Sequence, residues 1–596
     1  MGLLTKMVSA ALVGLIIHAC VAIAQTLTDP DVPATDFAHQ GPEFSPDQVR
    51  ITLWTPTSML VSWASGVGKV GPTSNPPAPY NVNYIGSQVQ YGREGNKLSK
   101  SVTGRNDGKL SKRVTYTYRY SANSGPINDE GTVAVSPIFH HVLLKELRPG
   151  KKYYYRVGSK KTGFSKVFNF IMPENKYPFT FGVFGDLGQR PDSLATVKNL
   201  AAKSVDAVLS LGDQSYVDAY WANGTYNCAG VCSYQPRWDI WNRMMQQLSS
   251  KVPTMTIVGL PTMLASRGHK ILTSSTLTST LKGPSQKNRT FLPTADTVYS
   301  NNSFWAVTIG PARVIALSNA APYGPDSVQY KFLERELENV DRKRTPWVIT
   351  VVHGVWYSSF VDHFKENDEM RKMVEPLLYK HGVDVVLNAH AHSYERNTRM
   401  YEWEANECAP LYILNGQGGF PGEYEVVEKD PPPFCETGVL KIPPYQPTYS
   451  GKGYIDPTIP RCFSTLPDWS KKRMAGQFGH SVLTLIDDQT LEWKMYLNDN
   501  PDVPYDRAIV TKPTGCNPSL LPASAGGRVL TGDDEWSNQV SLSEGRCPLQ
   551  HTLLRKGLLA NPTLTSLGPT YFIWYASIEV LKEIEDLACN QPSQKV

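Results

Sequence analysis

Phe179-Thr-Phe-Gly-Val-Phe184, followed at once by Gly185-Asp186-Leu-Gly188, decides how this chain is to be read. A short apolar run of this length is a buried strand, and Gly-Asp-Leu-Gly is turn sequence at its carboxyl end. The same grammar recurs downstream. Ala207-Val-Leu-Ser-Leu211 runs into Gly212-Asp213-Gln-Ser-Tyr216, Trp347-Val-Ile-Thr-Val-Val352 into His353, and Val383-Asp-Val-Val-Leu387 into Asn388-Ala-His390-Ala-His392. Helical periodicity at Ser193 to Lys203, Pro236 to Leu248, Gln329 to Asp341 and Glu369 to Tyr379 alternates with these strands and with Val252-Pro-Thr-Met-Thr-Ile257. Repeated helix-then-strand units predict an α/β domain with a largely parallel or mixed sheet. Ligands of such sheets gather beyond the carboxyl ends of the strands. Two Asp, one Tyr and three His are therefore expected along one edge, a mixed donor set suited to first-row metals.

Upstream the grammar differs. Val49-Arg-Ile-Thr-Leu-Trp54, Met59-Leu-Val-Ser-Trp63, Gln88-Val-Gln-Tyr91, Val114-Thr-Tyr-Thr-Tyr118, His140-His-Val-Leu-Leu144 and Tyr153-Tyr-Tyr-Arg-Val157 alternate with period two between Gly, Pro and Asn breaks. This predicts a small antiparallel β-sandwich, with Leu147-Arg-Pro-Gly150 as the turn into a late strand of a fibronectin III-like module. The chain is thus all-β plus α/β, and its 596 residues exceed one ordinary core.

Lys6 precedes an apolar run from Met7 to Ala24 that ends in Ala22-Ile23-Ala24, a secretory leader with cleavage expected after Ala24. The run is short for a membrane anchor, and no later stretch is long and apolar enough to span. Eight of the nine cysteines follow the leader, an even number that predicts disulfides of unassigned pairing; zinc ligation at Cys228 and Cys232 is the alternative. Asn223, Asn288 and Asn301 each open an Asn-x-Ser/Thr glycosylation triplet. The net charge of +5 is dispersed, without the basic stripe of a nucleic-acid binder. The expected domains are 1–24 leader, 25–175 sandwich, 176–512 α/β domain and 513–596 an extension of unassigned structure.

The order of strand-end motifs resembles the metallophosphoesterase superfamily, and Gly212-Asp213-x-x-Tyr216 narrows the resemblance to the plant-type purple acid phosphatases. Trp356-Tyr-Ser-Ser359, His363-Phe364, Met370-Arg371 and Tyr394-Glu-Arg396 share it, and it spans roughly Asp47 to Asn500. The resemblance implies an αββα sandwich behind the fibronectin III-like domain. It implies an Fe(III) ion on Asp186, Tyr216 and His392, a bridging Asp213, and a divalent Zn, Mn or Fe on His353 and His390. It implies His363 as the group that meets substrate and protonates the leaving oxygen. The activity implied is acid hydrolysis of small-molecule phosphate monoesters, with phosphodiester or pyrophosphate hydrolysis as the alternative. The leader implies secretion or vacuolar-lysosomal targeting, and the resemblance implies a homodimer.

The pattern breaks once. After its third strand the family carries Gly-Asn-His and an acid, whose Asn binds the second metal; here Gly259 is followed by Leu260-Pro-Thr-Met263, and family-like sequence returns near Asn301. Substitution by a downstream residue such as His269, a chain impaired at its second metal, and an altered reading frame are the three explanations. Ala389 stands where the family has Gly, and Gly354-Val355 where a Pro is usual before Trp-Tyr. Pro261-Thr262-Met263 read from CCA-ACC-ATG contains AAC-CAT, an Asn-His, in the shifted frame. We therefore expect a splice or reading-frame origin for residues 260–300. Sequencing the transcript is the check: a message encoding Leu260 to Ser300 as written overturns this expectation.

Overall fold

The computed structural model describes residues 29–104, 112–119, 131–221, 224, 226, 234–259, 303–360, 363, 365–421 and 467–516. The leader, Asn223, Asn288, Asn301, the stretch 260–302 with His269, seven of the nine cysteines including Cys228 and Cys232, and the chain from 517 onward lie outside them.

The amino-terminal strands form the expected antiparallel sandwich. One sheet has the order Asp47–Thr55, Ser58–Ser65, Ile138–Leu144, Lys112–Val114; its partner has Gly163–Phe164, Lys152–Ser159, Gln88–Gly92, Lys100–Thr103, with Phe168–Ile171 also on Lys152–Ser159. Alternation fills the space between them: Val49, Ile51 and Leu53 from the first sheet meet Tyr153, Tyr155 and Val157 from the second. The run Val114 to Tyr118 is two strands rather than one. Lys112–Val114 pairs with Ile138–Leu144, whereas Thr117–Arg119 pairs with Thr132–Val135. The break lies where the Tyr116 N–H donates to Ser136 Oγ at 2.9 Å, so a side chain replaces the ladder partner.

Downstream, two mixed sheets pack face to face. The six-stranded sheet runs Thr254–Thr256, Ala207–Ser210, Phe179–Phe184, Gly479–Leu485, Thr490–Leu497, Asn500–Thr511, and its first three strands are parallel. The eight-stranded sheet runs Trp305–Ile309, Ala312–Leu317, Trp347–Val352, Val385–Asn388, Leu411–Asn415, Ser393–Tyr401, continued by Glu404–Ala405, with Ser470–Ala475 also on Ser393–Tyr401. Period-two geometry sorts each strand between two cores. Phe179, Phe181 and Val183 enter the space between the sheets with Trp347, Ile349, Val351, Val385 and Leu387. Phe184 and Val208 face the helices Pro191–Ala201 and Pro236–Ser249, while Val348, Val352 and Val386 face Val328–Glu338 and Asp368–Lys380. The result is helix, sheet, sheet, helix. Pro opens the first two helices at the position that needs no N–H donor, and Ser327 Oγ caps the third by accepting from Tyr330 N–H at 3.1 Å.

The helix Pro236–Ser249 also touches the sandwich. Tyr155 donates to the Ser250 carbonyl at 2.7 Å, Val49 N–H to Gln246 Oε1 at 2.7 Å and Gln48 to Asp239 at 3.1 Å, and Arg243 pairs with Asp47 at 2.5 Å. One apolar core runs without interruption from Val49 through Met255 and Ile257 to Trp305. Among the described residues no helix is long and apolar enough to cross a membrane.

Cys408 and Cys516 form a disulfide across 108 residues, a pairing that sequence spacing left open. Closing so long a loop restricts the unfolded chain, so Cys408→Ser is expected to lower stability by about 2–5 kcal/mol. Thermal unfolding checks this, and an unchanged midpoint removes the bridge as a stabilising element.

Candidate metal centre

Parallel strands of both sheets end on one side, and their turns bring the predicted residues together. Asp186, withdrawn entirely from solvent, is the centre of the cluster. Its Oδ1 accepts from the Tyr216 hydroxyl at 3.0 Å and lies 3.4 Å from His392 Nε2; its Oδ2 accepts from the His390 backbone N–H at 2.8 Å. The Tyr216 oxygen is 2.9 Å from His392 Nε2. On the other side His353 Nε2 stands 3.2 Å from Asp213 Oδ2 and 3.8 Å from Asp186 Oδ1. His353 Nδ1–H donates to the Leu211 carbonyl at 2.7 Å, which fixes the tautomer and aims Nε2 at the carboxylates.

The backbone is bent to make this possible. Asp186, Asp213, Tyr216, His363 and His390 all have positive φ, between 33° and 74°, a region that side chains other than glycine rarely adopt. Such strain persists where surrounding structure fixes it, and it concentrates at functional sites.

His363 and His390 add a second arm. Their rings are 4.0 Å apart, and both face Glu366, which pairs with His363 Nδ1 and lies 3.3 Å from His390 Nε2. Two groups of donor atoms thus lie within 4.8 Å of one another, Asp213–His353–His390 and His363–Glu366–His390, with His390 common to both. Buried Tyr357, Arg371 and Glu375 hold the segment bearing His363 at one end: Tyr357 donates to Glu375 Oε1 at 2.5 Å, and Arg371 pairs with the same carboxylate. Glu395 pins Ser359 near it, accepting from N–H at 2.8 Å and Oγ at 2.6 Å.

Electrostatics single out a cation. Burial pushes the His353 imidazolium down, but the Asp213 and Asp186 carboxylates outweigh it and hold it up to about 9. Burial would raise Asp186; His353 and His392 outweigh that and hold it below its ordinary value. Burial, reinforced by the Asp186 and Asp213 charges, drives the Tyr216 phenol well above its usual range. His353 Nε2, His390 Nε2 and His392 Nδ1 are buried without a hydrogen-bond partner among the described residues. Carboxylates, a phenol and orphaned imidazole nitrogens facing one space fit bound metal ions, which displace protons from such ligands.

Gly259 arrives on schedule. A β-carbon on it would fall 1.6 Å from Asp213 Oδ1, so the backbone there presses directly on the cluster, and Leu260-Pro261 come next in the chain. The methyl of Ala389 is accommodated rather than crowding: it faces Gly185, where a β-carbon would sit only 2.5 Å away. In place of the usual Pro, Gly354 offers its carbonyl to Asn388 Nδ2 at 2.7 Å, and the same amide donates to Val352 O at 3.1 Å. Asn388 therefore clamps the turn that carries His353. Sequence reasoning gave no role to Asn388, Glu366 or Phe420, which stacks on Tyr216. The three-residue step from His363 to Glu366 was the one signal for Glu366.

Glu366→Gln is expected to weaken divalent-metal binding by about 10–100-fold, as loss of an outer-sphere carboxylate does. Equilibrium dialysis with Zn²⁺ measures it, and parental affinity would remove Glu366 from the centre.

Comparison with known proteins gives the family of the chain. Residues 46–172 match the family model for the purple acid phosphatase N-terminal domain, and residues 179–394 the model for calcineurin-like phosphoesterases. Purple acid phosphatase 15 of Arabidopsis thaliana is 31% identical over 513 residues, covering 82% of this chain and 90% of that protein. Phosphoenolpyruvate phosphatase of Allium cepa is 30% identical over 409 residues, covering 66% and 73%. The structure of purple acid phosphatase PPD1 from yellow lupin (Lupinus luteus) seeds superposes with a TM-score of 0.55 at 20% identity, covering 81% of this chain and 78% of that one.

Proposed function

The chain belongs to the purple acid phosphatase family of phosphoester hydrolases, and from that premise we propose that it hydrolyses small phosphate monoesters at a two-metal centre. The observation that carries the reading is the Tyr216 phenol oxygen lying 3.0 Å from Asp186 and 2.9 Å from His392, with Asp213 beside His353. Asp186, Tyr216 and His392 would hold Fe(III), Asp213 would be shared, and His353 and His390 would hold divalent Zn, Mn or Fe. When bound, the pair of cations neutralises phosphate oxygens and acidifies a water, ferric iron strongly enough to favour an acid optimum.

The chain supplies the remainder. Glu366 engages His363 at Nδ1 and orients the ring, and Nε2 is the nitrogen that would carry a proton to the departing alkoxide. The buried Tyr357–Arg371–Glu375 set holds that histidine's segment in place. Phosphoenolpyruvate, named in the onion relative, is a substrate of the expected class. The reading includes secretion or vacuolar delivery and a homodimer.

A second reading is favoured by Leu260-Pro261 standing after Gly259 at the cluster: a chain that retains iron and binds the divalent ion weakly, with little or no turnover.

Purified protein should hydrolyse p-nitrophenyl phosphate fastest at acid pH, contain two metals per chain and absorb visible light through iron-bound tyrosinate. One metal and no turnover selects the second reading, and an optimum above neutrality contradicts both the iron assignment and the first. His363→Gln is expected to cost about a hundred- to ten-thousand-fold in kcat on alkyl phosphates and far less on the p-nitrophenyl ester, whose leaving group needs no proton. Equal losses on both esters would remove His363 as the acid.

A further inference from the structure

Phe420, at the end of the strand-and-turn run Leu411 to Phe420, lies flat against Tyr216, with ring centroids 3.6 Å apart and planes 3° apart. Two aromatic faces in register repel through their quadrupoles, and unassisted pairs slide or tilt to separations of about 4.5–7 Å. A cation offsets that repulsion here. Arg190 lies over the Phe420 ring with Cζ 5.1 Å from its centroid, drawing on the electron-rich face.

Arg190 is in turn fixed by residues remote from the cluster. Its Nε is 3.3 Å from Asp31 Oδ1, and its Nη2 donates to the Tyr226 hydroxyl at 2.9 Å. The Asp31 side chain is 4% exposed and its other oxygen lies 3.6 Å from Arg237 Nη1. The segment bearing Asp31 is docked through its backbone, since Val32 N–H donates to the Gln189 carbonyl at 2.8 Å. Gln189 Nε2 donates to the Ser215 carbonyl at 2.7 Å, so the turn after Asp186 and the turn before Tyr216 are held together. The Phe420 N–H closes the circuit on the Asp186 carbonyl at 3.0 Å.

We propose that Phe420 and Arg190 are positioning residues for Tyr216, with Asp31 anchoring the guanidinium, so that the amino-terminal segment sets the angle at which the phenol oxygen meets bound iron. Tyr216 needs outside support because its own backbone is left-handed, with φ 47°, and opens only a three-residue helical turn, Val217–Ala219. The inference rests on the two-metal reading above and concerns how one of its ligands is aimed.

The test uses the full iron-loaded chain and reads the position of the tyrosinate-to-iron absorption band, together with the rate of iron release to a chelator. Phe420→Leu is expected to move the band and to speed release about two- to tenfold, the worth of one aromatic stack. Phe420→Tyr keeps the ring and is expected to restore both values. Asp31→Asn, which preserves volume and removes the charge, is expected to shift the band in the same direction by less. Should the leucine variant fail to fold, Arg190→Gln carries the same two readouts. A parental band and release rate in Phe420→Leu, or in Arg190→Gln where that stands in, overturns the positioning role, and an unmoved band in Asp31→Asn overturns the anchor. A parent chain that binds iron without any visible band overturns the two-metal reading and this inference with it.

Discussion

A carboxylate removed completely from water must be compensated where it lies, and Asp186 is such a group. Among the described residues no lysine or arginine forms an ion pair with it; its partners are a phenol, a backbone N–H and two imidazoles. These partners come from separate strand ends in the two sheets, so the charge is satisfied only when both sheets are in register. The left-handed turns at Asp186, Asp213, Tyr216 and His390 are the local cost of that convergence. The two-sided burial of the parallel strands supplies the rigidity that holds them.

Much of this was legible because strand burial and strand ends are local properties. The runs Phe179–Phe184 and Trp347–Val352 fall where apolar sequence placed them, and the helices start within two residues of their periodic segments. Asp186, Asp213, Tyr216, His353, His390 and His392 could be picked out because each stands in a turn directly after such a run. Glu366 was not, since a glutamate three residues from a histidine is ordinary on any surface, and only the fold turns it inward against His363 and His390. Phe420 escaped for the opposite reason. An apolar residue after Gly418-Gly419 carries no chemical signal until its ring is seen against Tyr216. The split of Val114 to Tyr118 and the pairing of Cys408 with Cys516 depend on distant partners, Ser136 and the chain's return, and period-two patterning holds no information about either.

The departure at Gly259 has a physical setting as well as a sequence one. The third parallel strand of the six-stranded sheet reaches the cluster, and Gly259 beyond it places backbone against Asp213. Glu366, 3.3 Å from His390 Nε2, is an oxygen donor already on that side. On the proposed assignment, iron would draw on Asp186, Asp213, Tyr216 and His392, of which Asp213 alone lies against Gly259.

The helix Pro236–Ser249 serves both domains, its apolar face covering the six-stranded sheet while residues at its carboxyl end accept hydrogen bonds from Tyr155 and Val49 of the sandwich. During synthesis the sandwich leaves the ribosome first, with Tyr155 and the backbone of Val49 lacking these partners until roughly a hundred residues more have emerged. The amino-terminal domain is therefore a foundation that waits for its upper storey. The seam that Tyr155 and Val49 form with Ser250 and Gln246 is therefore completed only after the α/β chain has followed.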